Sequence, residues 1–237
     1  RLVPLQGRRL LKPKLVRPIV SFSFDDCPKS VIENAITPLA QENWRSTVYI
    51  SMGLCDTTNH LGLHMSADDV KALHADGQEI ADHTFNHIDA TQHSLDEFMA
   101  NINKNQEALN ALGLPESKTF AYPYGQVTTA AKKALSTKFK GLRGIRSRDS
   151  QEIIDVNQIK SNRLYAGSEF EKLMAQIEGL SAKPGWLPIF THDVRENPSQ
   201  YGCTPEQMRR VIEAVKASGA QVLPIAEAIE ILELANE

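Results

Sequence analysis

Three short stretches of this chain gather titratable side chains in patterns that suit hydrolysis. Asp25 and Asp26 are adjacent, at the end of the run Ile-Val-Ser-Phe-Ser-Phe. Neighbouring carboxylates raise each other's pKa unless a positive charge intervenes. A cation would resolve the conflict, with one carboxylate binding it and the other left as a base. Taken alone, the pair serves equally well as a turn or a helix cap. His83 and His87 stand four residues apart, a spacing that lets both face one ion from a helical turn or a tight loop. His60 and His64 share that spacing and provide an internal control. They sit in a glycine-containing loop with no β run before them, and read as solvated or packing side chains. His83 and His87 instead follow the β run Glu-Ile-Ala-Asp. A third β run, Trp-Leu-Pro-Ile-Phe-Thr, ends in His192-Asp193.

One aspartate and two histidines can hold a metal and leave a position open for water. The second aspartate can take that water's proton, and a histidine opposite can protonate a leaving group. Between these stretches lies Phe120-Ala121-Tyr122-Pro123-Tyr124-Gly125. It reads as a proline–glycine turn with aromatic packing. Alternatively it is a rigid groove wall that aims a backbone N–H at a developing oxyanion.

The elements that must position these groups are legible from periodicity. Strands are expected at Ile19–Phe24, Thr47–Ile50, Glu79–Asp82, Thr119–Tyr122, Gly144–Ser147, Arg163–Tyr165, Trp186–Thr191 and Gln221–Leu223. Helices fall between them. Ser66 with Asp69, Ser94 with Glu97, Ser168 with Glu171, and Thr204 with Gln207 read as helix-starting boxes. Strand–helix alternation over 237 residues implies an α/β protein with a parallel sheet, either open and doubly wound or closed as a barrel. Both architectures collect functional residues at strand C-terminal ends.

Composition removes other classes. Lysine and arginine total 26 against 29 acids, a formal charge of -3, which excludes a basic nucleic-acid-binding domain. No apolar run reaches the ~18 residues of a membrane span. Three cysteines without a CxxC pattern define neither a disulfide framework nor a zinc knuckle. No GxGxxG or Walker motif occurs. Residues 1–17 carry Arg1, Arg8, Arg9, Lys12, Lys14 and Arg17 and no acid. They read as a basic, solvated arm able to touch an anionic surface, ahead of a single domain spanning 18–237.

Ser-Phe-Asp-Asp-Cys-Pro, His-Thr-Phe-Asn-His, Phe-Ala-Tyr-Pro-Tyr-Gly and Phe-Thr-His-Asp resemble, in order, the motifs of the polysaccharide deacetylases, carbohydrate esterase family four with the NodB-homology domain. The resemblance runs from about Ile19 to about Ile229. It implies a distorted (β/α) barrel of about seven parallel strands. It also implies a metal-dependent hydrolase of carbon–nitrogen bonds that removes N-acetyl groups from an amino sugar in a polysaccharide, oligosaccharide or glycolipid. In that family's pattern Asp25 is the general base, and Asp26, His83 and His87 hold a divalent ion. Zinc is the expected metal, with cobalt, nickel or iron accepted by the same donors. Tyr124 offers its backbone N–H to the oxyanion, with Pro123 beside it. His192 protonates the departing amine. Phe190 lines the acetyl-methyl pocket.

Three departures stand out. Cys27 occupies a position where the family usually has glycine, and reads as a small residue filling that space. Ala121 stands where an arginine often orients the catalytic aspartate. No Asp-Trp motif follows the third motif. Arg143, Arg146 and Arg163 could each supply the arginine from another strand, and Arg163, opening a β run, is the choice made on sequence. Two rivals keep the same fold: a hydrolase of another linear or cyclic amide, and an inactive carbohydrate-binding relative. The expected partner is a carbohydrate, with no nucleic acid and no transmembrane segment. The compartment, cytoplasmic or periplasmic, and the oligomeric state are open at this level, and no signal peptide is legible.

Overall fold

A computed structural model describes residues 5–147 and 153–236. Its strands are β1 (Leu10–Leu11), β2 (Ile19–Asp25), β3 (Thr47–Ile50), β4 (Thr58–Asn59), β5 (Gly62–Leu63), β6 (Glu79–Asp82), β7 (Thr119–Ala121), β8 (Gly141–Arg143), β9 (Ile154–Asp155), β10 (Asn162–Arg163), β11 (Trp186–Thr191) and β12 (Gln221–Val222). The helices are α1 (Thr37–Gln41), α2 (Ala67–Ala75), α3 (Leu95–Ala111), α4 (Thr129–Leu135), α5 (Ser168–Gly179), α6 (Pro205–Ala217) and α7 (Ile225–Leu234).

Seven strands run parallel in the order β10-β11-β2-β3-β6-β7-β8, and β12 pairs with the start of β2. The sheet curls until β8 approaches β10. An isolated bridge between Arg143 and Ile159, and a bond from Ser161 N–H to the Arg146 carbonyl at 3.1 Å, span the gap. The result is a distorted (β/α) barrel.

Side-chain alternation explains the curl's two faces. Val20, Phe22 and Phe24 of β2, with Val48, Ile50 and Ile80, pack outward in the main apolar core against the helices. Ser21, Ser23 and Asp25 take the other face. There Ser23 Oγ donates to the Ile189 carbonyl at 3.0 Å, and Trp186 Nε1 donates to Ser21 Oγ at 2.9 Å. At the N-terminal end of the barrel, half-buried Glu79 accepts from Thr47 at 2.7 Å, Thr119 at 2.6 Å and the first-turn N–H of Ala226 at 2.9 Å. This anchors α7 across the barrel floor, where a helix N-terminus favours a carboxylate.

The boxes at Ser66, Ser94 and Thr204 form reciprocal caps as expected. Ser168 does not. Gly167, at φ 81°, is the cap residue and Ser168 is already helical, so its hydroxyl cannot cap. The strand expected at Gly144–Ser147 lies earlier, at Gly141–Arg143. Gly141 lies inside β8, where α7 packs against it: a Cβ there would meet Ile229 Cδ1 at 2.3 Å. The described part of the basic segment is largely exposed to solvent but tied to the domain. β1 pairs antiparallel with β9, Arg9 bonds Glu233 at 3.1 Å, and Arg17 Nε donates to the Gly219 carbonyl at 2.6 Å.

Candidate metal and catalytic site

β2, β6 and β11 deliver Asp25, His83 and His192 to the C-terminal mouth of the barrel, where a cleft of about 620 Å³ opens. Asp26 follows the end of β2 at φ 64°. Asp26, Cys27, Thr84, His87 and Tyr124 all have left-handed backbone, five of the seven described non-glycine residues that do. Such conformations cost about 1–3 kcal/mol each and concentrate at functional sites.

The loop carrying His87 is fastened from two sides. Gly53 N–H donates to the Phe85 carbonyl at 2.8 Å, and a Cβ on Gly53 would meet that oxygen at 2.6 Å. Asn101 on α3 accepts from Asn86 N–H at 2.9 Å, and Thr84 Oγ1 accepts from Ile88 N–H at 3.0 Å. The two histidines therefore converge from a tight loop, not from a helical turn.

Asp26 Oδ1 lies 3.2 Å from His83 Nε2 and 3.1 Å from His87 Nε2. Donors held about 2.0–2.1 Å from one ion stand roughly 3.0–3.4 Å apart, so this spacing fits a shared divalent cation. Asp26 Oδ1 is buried yet makes no aligned hydrogen bond. His83 Nδ1 faces the Ala121 carbonyl at 2.7 Å, which assigns its proton there and leaves Nε2 as the ligand atom. Burial, with the charges of His83 and His192, pushes His87 down to about 4 despite Asp26, so its ring is neutral near pH 7. Burial alone would raise Asp26, but contact with His83 and the charges of His87 and His192 hold it far below the usual carboxylate range. These donors fit zinc or a similar divalent ion.

Asp25 is buried beside this trio. Its Oδ2 accepts from Arg143 Nη2 at 2.5 Å, and its Oδ1 has no hydrogen-bond partner. Arg143 is fully buried, its guanidinium 4.9 Å from the Tyr49 ring centre and 4.7 Å from that of Phe190. The arginine that meets Asp25 is thus Arg143 and not Arg163. Arg163 is partly exposed and faces Glu169 at 3.9 Å. Placing β8 three residues late hid Arg143 inside a presumed loop, whereas it is the last residue of the strand.

His192 stands opposite, with Nε2 3.9 Å from Asp26 Oδ2 and Nδ1 3.2 Å from the Tyr201 carbonyl. Tyr124 is 59% exposed, and its ring rests 4.4 Å from that of His87. Phe190 lines the cleft floor. Pro123 does not line the cleft: it is buried, and its fixed φ starts the turn that presents Tyr124. Cys27, at φ 58°, points Sγ toward the Ser51 carbonyl 4.0 Å away and is not among the clustered ligands. His64 is buried, with Nδ1 3.2 Å from the Thr57 carbonyl, as a packing residue would be. His60 is exposed, as a solvated residue would be, and it also reaches the cleft. Sequence reasoning also missed Tyr49, Tyr165 and Tyr201, which carry no local signal.

The chain belongs to the polysaccharide deacetylase family, whose sequence profile matches residues 12–141. The same fold occurs in the chitin deacetylase of Colletotrichum lindemuthianum (18% identity, TM-score 0.64, covering 94% of this chain and 91% of that one). It occurs also in a family 4 acetyl xylan esterase from Clostridium thermocellum, solved with a cobalt ion (17%, 0.62, 90% and 91%). A peptidoglycan N-acetylglucosamine deacetylase is similar to the same degree (18%, 0.62, 95% and 94%). Among curated proteins no sequence match was found. Among the described residues, no helix is long and apolar enough to cross a membrane.

Proposed function

We propose that this deacetylase is a metal-dependent hydrolase that removes the N-acetyl group from an amino sugar in a glycan chain. The observation that carries the reading is the convergence of Asp26 Oδ1, His83 Nε2 and His87 Nε2 beside the unpartnered Asp25 Oδ1. A divalent cation on those three donors would supply Lewis acidity to the acetyl carbonyl and to the attacking water.

The chain's own groups divide the remaining work. Asp25 Oδ1 takes the proton of the attacking water, while Arg143 holds Oδ2 and fixes the carboxylate plane. The Tyr124 backbone N–H donates to the oxygen that becomes negative as the carbonyl is attacked. His192 Nε2 gives a proton to the departing amine nitrogen, and its Nδ1 contact with the Tyr201 carbonyl orients the ring. Phe190 bounds the space for the acetyl methyl group.

The test is acetate release by protein purified without chelator or affinity tag, with metal content measured by elemental analysis. Chitin oligomers, peptidoglycan fragments and acetylated xylan make up the panel. Release from an N-acetylated glycan, abolished by chelation and restored by zinc, is expected. No release from any member, with metal bound, would sink the reading. Glycan binding without hydrolysis would select the inactive-relative alternative.

A further inference from the structure

The β4–β5 hairpin carries His60 at its tip, outside the motifs that define the catalytic centre. Exposed hairpin tips are usually loose, but this one is fastened. Leu61 is buried beneath it, and Leu61 N–H donates to Asn59 Oδ1 at 2.8 Å. Arg195 Nη2 donates to the His60 carbonyl at 2.8 Å, while Arg195 Nε donates to buried Asp193 at 2.8 Å. Asp193 follows His192 directly, so the hairpin is tied to the strand end that carries the proposed acid. Gly62, at φ 98°, lets the hairpin lie on the guanidinium, since a Cβ would stand 3.1 Å from Arg195 Nη1.

This fastening places the His60 ring edge-on to Tyr201, centroids 6.0 Å apart. Tyr201 is 39% exposed and lies 5.6 Å from the His192 ring and 6.0 Å from Tyr165. Tyr165 in turn meets Phe190 at 5.6 Å. An aromatic wall therefore runs from the cleft floor at Phe190 out to His60, with Tyr124 on the other side of the metal ligands. Apart from Asp25 and Asp26, the described lining has no acid, lysine or arginine, and Asn59 and Gln200 offer amides beside the rings. Aromatic faces with neutral hydrogen-bonding groups suit sugar rings, which present C–H faces and hydroxyls. Tyr201 stands between His60 and the catalytic centre, so a ring held at His60 is not the ring losing its acetyl group.

We propose that His60 and Tyr201 form a ring-stacking subsite for the sugar next to the one being deacetylated, making the preferred substrate a chain of two or more sugars. This rests on the deacetylase reading above. The test compares the parent protein with His60→Ala and His60→Tyr by acetate release. The probes are N-acetylglucosamine against its tetramer, and a peptidoglycan disaccharide against a tetrasaccharide. The parent should favour the longer member of a pair. His60→Ala should raise KM for the longer member about 3- to 10-fold, the scale of one aromatic contact, with kcat little changed. The short member should lose less, and His60→Tyr should recover most of the difference. An active parent that ignores length, or a His60→Ala variant that treats both lengths as the parent does, overturns the subsite alone. No acetate from any probe with the parent overturns the deacetylase reading and the subsite with it.

Discussion

Arg143 donates to Asp25 across the barrel interior, from the end of β8 to the end of β2, with both side chains buried. Tyr49 and Phe190 flank the guanidinium, so its plane is set by packing as well as by charge. Ala121, where the family often has an arginine, is paired in register with Arg143 on the neighbouring strand. The cation thus comes from one strand over.

Removing Arg143 leaves a buried carboxylate without its partner. Arg143→Ala should cost about 3–5 kcal/mol of stability. Arg143→Lys should also lose activity, because an ammonium lacks the planar fork that fits between two rings. Urea unfolding and acetate release on both variants check this. An alanine variant as stable and as active as the parent would show that Asp25 needs no counter-charge.

Ligand and base should separate cleanly. Asp25→Asn is expected to keep its metal and lose about 10²–10⁴-fold in turnover, the range for a positioned base. His83→Ala and His87→Ala should lose the metal itself. Elemental analysis beside the rate assay distinguishes the two outcomes. Normal turnover by Asp25→Asn would remove Asp25 as the base.

Gly202 holds His192 in place without touching it. A Cβ at Gly202 would sit 2.3 Å from the Asp193 carbonyl, and the adjacent Tyr201 carbonyl receives both His192 N–H and ring Nδ1, each at 3.2 Å. Gly202→Ala should shift that turn and lower kcat by roughly 10- to 100-fold, as small misplacements of catalytic groups do. Metal content should be unchanged. Full activity would mean the turn does not orient His192.

Cys27 is expected to be structural. Cys27→Ala should keep stoichiometric metal and lose on the order of 1 kcal/mol of stability through lost packing. Elemental analysis showing metal loss would make the thiol a ligand.

Asp82 sets a pH dependence of the metal-free protein. Burial lifts it from the ordinary 3.8 to about 7, against the Thr84 N–H and Asn105 hydrogen bonds. Between these values the folded state keeps a proton that the unfolded chain has lost. Asp82's contribution to stability is therefore full below about pH 4, falls as pH rises toward 7 and is flat above. Asp82→Asn keeps an acceptor for Thr84 N–H and removes the titration. Relative to the parent, the variant should gain stability between pH 5 and pH 8 in chelator. Parallel urea midpoints for both proteins across that range would refute the shift.

The sequence alone was enough to read the strand–helix alternation, the three strand ends bearing Asp25-Asp26, His83–His87 and His192, and the caps at Ser66, Ser94 and Thr204. These depend on local pattern: period-two alternation, short motif spacing and hydroxyl-to-amide bonds within one turn. Tertiary structure decided the rest. Gly141 is strand with Ile229, far along the chain, packed on it, and from the end of that strand Arg143 reaches Asp25. Ser168 lost its cap to the left-handed turn at Gly167. His60 and His64 share a spacing, yet Arg195, more than a hundred residues away, draws one toward the cleft while the other is buried. Local periodicity records which face a residue takes; which distant residue meets it depends on how the sheet curls, and no short window of sequence contains that.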